Sequence, residues 1–388
     1  MKIGINKINF YTSNLDIGMT DLAHARHEDP DKYLVGIGQN KQAVIPNTQD
    51  AVTLAANAAE PMLTAWDRQR IHLIIVGTEN GVDNSKSTAI YLQHLLRLNN
   101  DAMAFEVKQA CYGATAGLQM AHDYIADHPD QEALVVGSDV ARYGIGTPGE
   151  VTQGGGAVAM IVSTDPQIIA FSGRNAFYSK DIMDFWRPLG KTNALVDGHY
   201  SNHIYEDFFQ KTWYQYLAQN HLKIDDFKAL IFHLPYTKMG LKGLRVALPE
   251  AQPDQQRSLR QEFEASRYYN RMVGNLYTGS LYLSLMSLLD NSKDLRPGDR
   301  IGLFSYGSGA QGEFYSGILQ KHFKNSDRRN YMNKLLTDRQ QLSIPQYEKI
   351  YRSWLSVDAN NVELDYKNDP ATFVFAGIEN YRRVYLKH

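Results

Sequence analysis

A single cysteine, Cys111, is present among 388 residues, so no intramolecular disulfide can form. A cysteine-based structural zinc site is excluded too, because such sites take two or more thiolates. No apolar run approaches the length needed to cross a bilayer. The N-terminal MKIGINKINF lacks the apolar core and small-residue cleavage site of a secretory leader, so a cytoplasmic location is the default expectation. Charge of one sign is also missing. The 40 Lys and Arg against 42 Asp and Glu leave a net charge of -2, which supplies no basic field for nucleic acid or a membrane surface. No His-Glu-x-x-His helix or other metal-ligand spacing occurs. The glycine-rich Ser305-Tyr306-Gly307-Ser308-Gly309-Ala310-Gln311-Gly312 lacks the Gly-Lys-Ser/Thr ending of a phosphate loop, and strand-like residues follow it. What remains is a globular chain with 43% hydrophobic residues, long enough for two domains or two fused halves.

The first half alternates strand-like and helix-like segments. Residues 2–10 read as a strand and 48–66 as an Ala-rich helix divided at Pro61. Short apolar strands at 72–76, 103–107 and 133–137 frame helical spacing at 88–98 and 111–125. Such alternation implies an α/β fold of βαβ units, with the sheet covered on both faces. The second half repeats the order of elements and the glycine punctuation without repeating identities. Residues 229–232 form a strand ending at His233, and an apolar helix over 279–289 follows Gly274-Asn275. A strand at 300–304 then leads into the glycine turn. The expected organisation is 1–164 as one half and 165–388 as the other. A charged, helix-like insertion near 325–358 precedes two final strands, 371–378 and 381–386.

If the halves pack about a pseudo-twofold axis, Glu79 and Cys111 from the first converge with His233 from the second, each just beyond a strand. A lone cysteine is ordinarily a small buried hydrophobe. Here it sits in Gln109-Ala110-Cys111-Tyr112-Gly113-Ala114 at the start of a helix, where exposed N–H groups and the helix dipole favour a thiolate. The same N–H groups would suit an oxyanion hole. Glu79, in Gly77-Thr78-Glu79-Asn80-Gly81, would by itself be read as a solvated turn residue. Beside a nucleophile it becomes a candidate base, its basicity raised by desolvation. His233, otherwise a satisfied core histidine, would assist thiolate formation or hold a ketone oxygen. Lys238 and Lys242, four apart on one helix face, follow it closely enough to meet phosphates. Activity is expected to fall in acid as Glu79 and His233 protonate.

At these residues the chain resembles the hydroxymethylglutaryl-CoA synthase family along nearly its whole length. The matching stretches are GTENGVDNSKS around Glu79, QACYGATAGL around Cys111, IFHLPYTKMGLKGL around His233, GNLYTGSLYLSL around Asn275 and LFSYGSGAQGEFYSG around Ser308. KYLVGIGQ and MDFWRP also match. The resemblance implies a thiolase-like fold layered α-β-α-β-α, a homodimer, and acetyl-CoA and acetoacetyl-CoA as substrates, with no cofactor and no metal. It further implies condensation through an acetyl-Cys111 intermediate, with Glu79 as general acid/base and His233 binding the acetoacetyl group, in the mevalonate pathway. Lys238 and Lys242 fall to CoA, while Asn275 and Ser308 fall to the acyl or pantetheine part. Tyr143, Asp29, Thr152 and Ser201 are carried over as substrate contacts, and Asp139, Asp184 and Tyr306 as supporting residues. The chain is shorter than animal members and looks like the compact bacterial type. Ala114 replaces the glycine usual in animal members, with an expected effect on pocket shape rather than chemistry.

Two other readings compete. A ketoacyl synthase III-like enzyme would use Cys111, His233 and Asn275 but leave Glu79 without a part. A non-catalytic acyl-CoA-binding protein would have no need of a nucleophile. Thiolases carry a second active-site cysteine that this chain lacks.

Overall fold

A computed structural model describes residues 1–356 and 358–388. Nine strands build the main sheet: β1 (Ile3–Tyr11), β2 (Ile71–Gly77), β3 (Met103–Val107), β4 (Glu132–Ala141), β5 (Gly154–Thr164), β6 (Ile169–Ser179), β7 (Ala229–Phe232), β8 (Arg300–Gly307) and β9 (Gln311–Leu319). Their order across the sheet is β7-β8-β9-β6-β1-β5-β4-β2-β3. Outward from the β1–β6 seam, both directions repeat one plan. β1, β5, β4 and β2 pair antiparallel, antiparallel and parallel, as do β6, β9, β8 and β7. The seam itself is short, with Gly4 opposite Ala170 and Ile5 opposite Ile169. This palindromic order is the pseudo-twofold relation expected from the glycine punctuation. Among the described residues the second half has no strand equivalent to β3; in its place in the chain Asn270–Val273 forms a helical turn leading to Asn275.

Helices cover both faces. α1 (Ala51–Ala59) starts at Asp50, whose carboxylate accepts from the N–H groups of Val52 and Thr53, satisfying two donors that the first turn leaves free. It packs on β1, β4 and β5, and its continuation is broken at Pro61 as expected. α2 (Gly113–Asp127) lies against β2, β4 and β5, and α3 (Gly198–Asn220) against β6 and β9. α5 (Ser280–Asn291), which follows α4 (Met239–Ala247), is buried at every position from Ser280 to Asp290. That all-round burial is what a central layer between sheet faces requires. The charged insertion folds as α6 (Ser326–Thr337) and α7 (Ile344–Arg352). The final strands, Phe373–Glu379 and Arg382–Lys387, form a separate hairpin joined by Val362–Glu363. No helix among the described residues is long and apolar enough to cross a membrane.

Candidate active site

β2 ends at Gly77, and a Cβ there would come 2.2 Å from the Ala114 nitrogen. Only glycine lets the start of α2 lie this close to the strand. The next two residues turn into the site. Thr78 Oγ1 and the Glu79 N–H donate to Asp139 Oδ1 at 2.9 and 2.7 Å. From the other half, Thr278 donates its Oγ1 and N–H to Asp139 Oδ2 at 2.6 and 3.1 Å. Asp139 is fully buried and so ties the two halves together behind Glu79. Arg187, from a hairpin of Phe185–Trp186 against Leu195–Val196, donates to the Glu79 carbonyl.

β3 leads into a tight turn in which Ala110 takes a left-handed φ of 43° and the Tyr112 N–H donates to Gln109 O at 3.0 Å. Cys111 follows, with Sγ donating to Glu79 Oε1 at 3.3 Å. Behind it β8 passes through Gly307, where a Cβ would meet Gln109 O at 2.5 Å and Tyr112 Cβ at 2.7 Å. Tyr112 OH donates to Glu313 Oε2 at 2.6 Å, and Asn175 Nδ2 to Glu313 Oε1 at 2.9 Å. Burial, with Tyr112 and Asn175 opposing it, pushes the Glu313 carboxyl up to about 8.

The electrostatics correct one expectation. Burial first, and then the Glu79 charge, raise the Cys111 thiol well above its usual range. The helix begins two residues later, at Gly113, and its dipole does not offset a carboxylate in contact. The Cys111 thiol is thus partnered by the Glu79 carboxyl group rather than by the end of a helix. Glu79 is itself held above the ordinary carboxylate range by burial and by Asp139, against the opposing Arg187 charge and the Cys111 hydrogen bond. Asp139 is raised by burial, though its four donors work against the rise.

His233 follows β7 and is held by its backbone: its N–H donates to Phe304 O and its carbonyl accepts from Tyr205 OH, both at 2.8 Å. Its buried Nδ1 has no partner among the described residues. Burial pushes its pKa down to about 3, so the ring stays neutral through the acid range in which it was expected to titrate. The imidazole has no hydrogen bond to Cys111; the thiol's partner is Glu79.

Asn275 opens the counterpart of the cysteine turn. Its Oδ1 accepts from the Tyr277 N–H at 2.8 Å, and its Nδ2 donates to Tyr143 OH at 3.1 Å. The rings of Tyr143, Phe185 and Tyr277 meet edge-on, with centroids 5.9 to 6.1 Å apart. Asp184, fully buried, accepts from Tyr306 OH at 2.7 Å, Ser201 Oγ at 3.1 Å and the Gly309 N–H at 2.9 Å. Ser308 sits inside this turn, and its carbonyl accepts from Gln109 Nε2 at 3.3 Å. Lys238 caps α4 and donates its N–H to Ile37 O, while Lys242 lies 3.9 Å from Glu206. Thr152 bonds Gly149 O through its side chain and receives the Asn275 N–H on its carbonyl.

Asp29 makes no hydrogen bond to these groups among the described residues; it is exposed and its carboxylate accepts from the Asp31 N–H. Ala114 is fully buried, its Cβ directed at Gly137 rather than at the pocket, so its departure from glycine alters packing between α2 and β4. Arg187, Thr78, Thr278 and Tyr277 went unrecognised in the sequence. Arg187 lies within MDFWRP, which was the available signal.

Two family models cover most of the chain: "Hydroxymethylglutaryl-coenzyme A synthase N terminal" over residues 1–167, and its "C terminal" counterpart over 252–388. The chain belongs to the hydroxymethylglutaryl-CoA synthase family. A hydroxymethylglutaryl-CoA synthase from Enterococcus faecalis is 45% identical over 99% of this chain and 100% of its own length. A polyketide-biosynthesis 3-hydroxy-3-methylglutaryl-ACP synthase from Bacillus subtilis is 32% identical over 95% of this chain and 92% of its own. A crystal structure of an HMG-CoA synthase complexed with CoA superposes with a TM-score of 0.96 at 43% identity, covering both chains fully. The fold is thus the thiolase-like one of these synthases, and the chain is an acyltransferase of their kind. Membership also removes the ketoacyl synthase and scaffold readings, neither of which used the carboxylate that lies against Cys111.

Proposed function

We propose that this synthase works with Cys111 as nucleophile, Glu79 as general acid/base and His233 as the holder of the acetoacetyl ketone. The reaction condenses acetyl-CoA, acetoacetyl-CoA and water to 3-hydroxy-3-methylglutaryl-CoA and CoA. The observation that carries the assignment is the 3.3 Å contact of the Cys111 thiol with the Glu79 carboxylate. In the first stage Sγ attacks the acetyl carbonyl while Glu79 takes the thiol proton. The bond to CoA sulfur breaks, and CoA leaves with that proton. Glu79, a carboxylate again and more basic than usual because it is desolvated, removes a proton from the acetyl methyl group. That carbon bonds the ketone carbon of acetoacetyl-CoA, and the ketone oxygen takes the proton. A neutral His233 suits this stage, since its N–H can donate to the ketone oxygen without surrendering the proton. Water then cleaves the Cys111 thioester, leaving the new carboxyl group on the product and the thiol restored.

Lys238 and Lys242 are assigned to the CoA phosphates, at the positive end of α4. Asn275, Tyr143 and Ser308 are assigned to the acyl and pantetheine portions, with Ser201, Thr152 and Asp29 as outer contacts. Asp139, Asp184 and Tyr306 support the loops that carry these groups. The division into 1–164 and 165–388, and a homodimeric assembly, complete the reading. The test is Glu79→Gln, which keeps an acceptor for the thiol but removes the base. It should release one equivalent of CoA from acetyl-CoA only slowly, since the amide cannot take the thiol proton, and form no condensation product. Sustained product formation by that variant would remove the carboxylate from the mechanism.

A further inference from the structure

We infer that α7, in the charged segment that the family resemblance left without a role, is a brace that sets Tyr143, and that Tyr351 and Tyr347 are positioning residues for the condensation. This rests on the reading above, in which Tyr143 faces the reacting acyl groups.

The loop between β4 and β5 carries Tyr143 into the site, and its backbone is caught from behind. The N–H groups of Tyr143 and Gly144 donate to Gln153 Oε1 at 2.7 and 3.1 Å. Gly144 N–H also reaches Tyr351 OH at 2.9 Å. Gln153 is fixed in turn by donating its Nε2 to Tyr347 OH at 2.9 Å. Tyr347 OH donates to Glu150 Oε1 at 3.1 Å, and Glu150 Oε2 accepts the Gly146 N–H at 2.7 Å. Arg26 closes this side, pairing with Glu150 at 2.7 Å and with Glu348 of α7 at 2.8 Å. On the other side Arg142 lies 3.6 Å over the Tyr351 ring and 4.8 Å from that of Trp354, and donates to the Tyr351 carbonyl at 2.8 Å.

Two consequences follow from this arrangement. Each backbone N–H of the loop from Tyr143 to Gly144 is held by a side chain that α7 itself holds or supplies, so the position of the Tyr143 ring depends on α7. The Tyr143 hydroxyl in turn receives Asn275 Nδ2. Tyr351 also donates to Asn193 Oδ1 at 2.8 Å, in the hairpin that carries Arg187 to the Glu79 carbonyl. One phenol therefore spans the loop beside the acyl site and the hairpin behind the base. A helix recruited only to cover surface would have no use for a buried Tyr347 hydroxyl and a half-buried Tyr351 satisfied by these particular loops.

The test compares Tyr351→Phe and Tyr347→Phe with Tyr385→Phe, which removes a comparable phenol–carboxylate bond, to Asp50 at 2.7 Å, on the C-terminal hairpin. Wild-type condensation is measured first; its absence would sink the functional reading itself. Tyr351→Phe, which removes both hydrogen bonds of that hydroxyl, should lower kcat by about 3- to 10-fold, while the KM for acetyl-CoA holds. In a Tyr143→Phe background the same change should matter by less than about twofold, since the group being positioned is gone. Tyr385→Phe should lower Tm and leave kcat alone. The brace is refuted if Tyr351→Phe behaves like Tyr385→Phe, or if its kcat loss is the same with and without Tyr143.

Discussion

Asp139→Asn puts the largest structural load on one substitution. The carboxylate is fully buried and accepts four hydrogen bonds, two on each oxygen. An amide nitrogen in place of either oxygen faces one threonine hydroxyl, which can turn to accept, and one backbone N–H, which cannot. The variant thus strands the N–H of Glu79 or of Thr278, at a cost of about 1–3 kcal/mol. The substitution also removes the negative charge that ranks second, after burial, in raising Glu79. Glu79 then ionises at lower pH. Since kcat/KM reports the free enzyme's base, the acid limb of its pH profile moves toward acid even as the plateau falls. The assay is loss of acetoacetyl absorbance across the acid and neutral range, with Tm measured alongside. A lowered Tm with the acid limb unmoved, or moved toward alkali, would refute the coupling of Asp139 to the base.

Arg187→Ala should act in the opposite sense. It removes a charge that lowers Glu79, so the limb moves toward alkali, and losing the bond to the Glu79 carbonyl costs about tenfold in kcat/KM. Arg187→Lys should restore the limb more fully than the rate. His233→Gln should raise the KM for acetoacetyl-CoA without shifting the acid limb, because burial holds this imidazole down at about 3. A shifted limb would return His233 to the role of titrating group. Glu313 bears on stability: its folded pKa lies at about 8 against 4.5 for the free group, so the folded state binds the proton more tightly. Wild type therefore loses stability as pH rises through that window, and Glu313→Gln should lose less. Denaturant melts at both ends of the window check this through the pH dependence of the difference between the two proteins.

The three groups assigned to the chemistry stood out as candidates because each lies within a few residues of the end of a short strand, and strand ends are where an α/β sheet opens its crevices. Glycines at Gly77 and Gly307 were visible as punctuation, though only the close approach of α2 and of the cysteine turn explains them. Much of the rest depends on distant partners. Asp139 matters because Thr278, from the other half, reaches it. Arg187 lies in a hairpin of two-residue strands, too short to carry a periodic signal. The missing equivalent of β3 was concealed because the glycine before Asn275 resembles the approach to Cys111, although the backbone there is helical. The direction of the thiol's shift could not be read from its place before a helix, since the deciding neighbour, Glu79, is 32 residues away. For α7, charge and helical spacing are those of a solvated face, and only its contacts reveal what Tyr347 and Tyr351 hold.

Intact-protein mass spectrometry after mixing with acetyl-CoA tests the central claim most directly. Wild type should gain one acetyl group rapidly, Glu79→Gln one only slowly, and Cys111→Ala none. An unmodified wild type, or an acetylated Cys111→Ala, would contradict the assignment of Cys111 as the nucleophile.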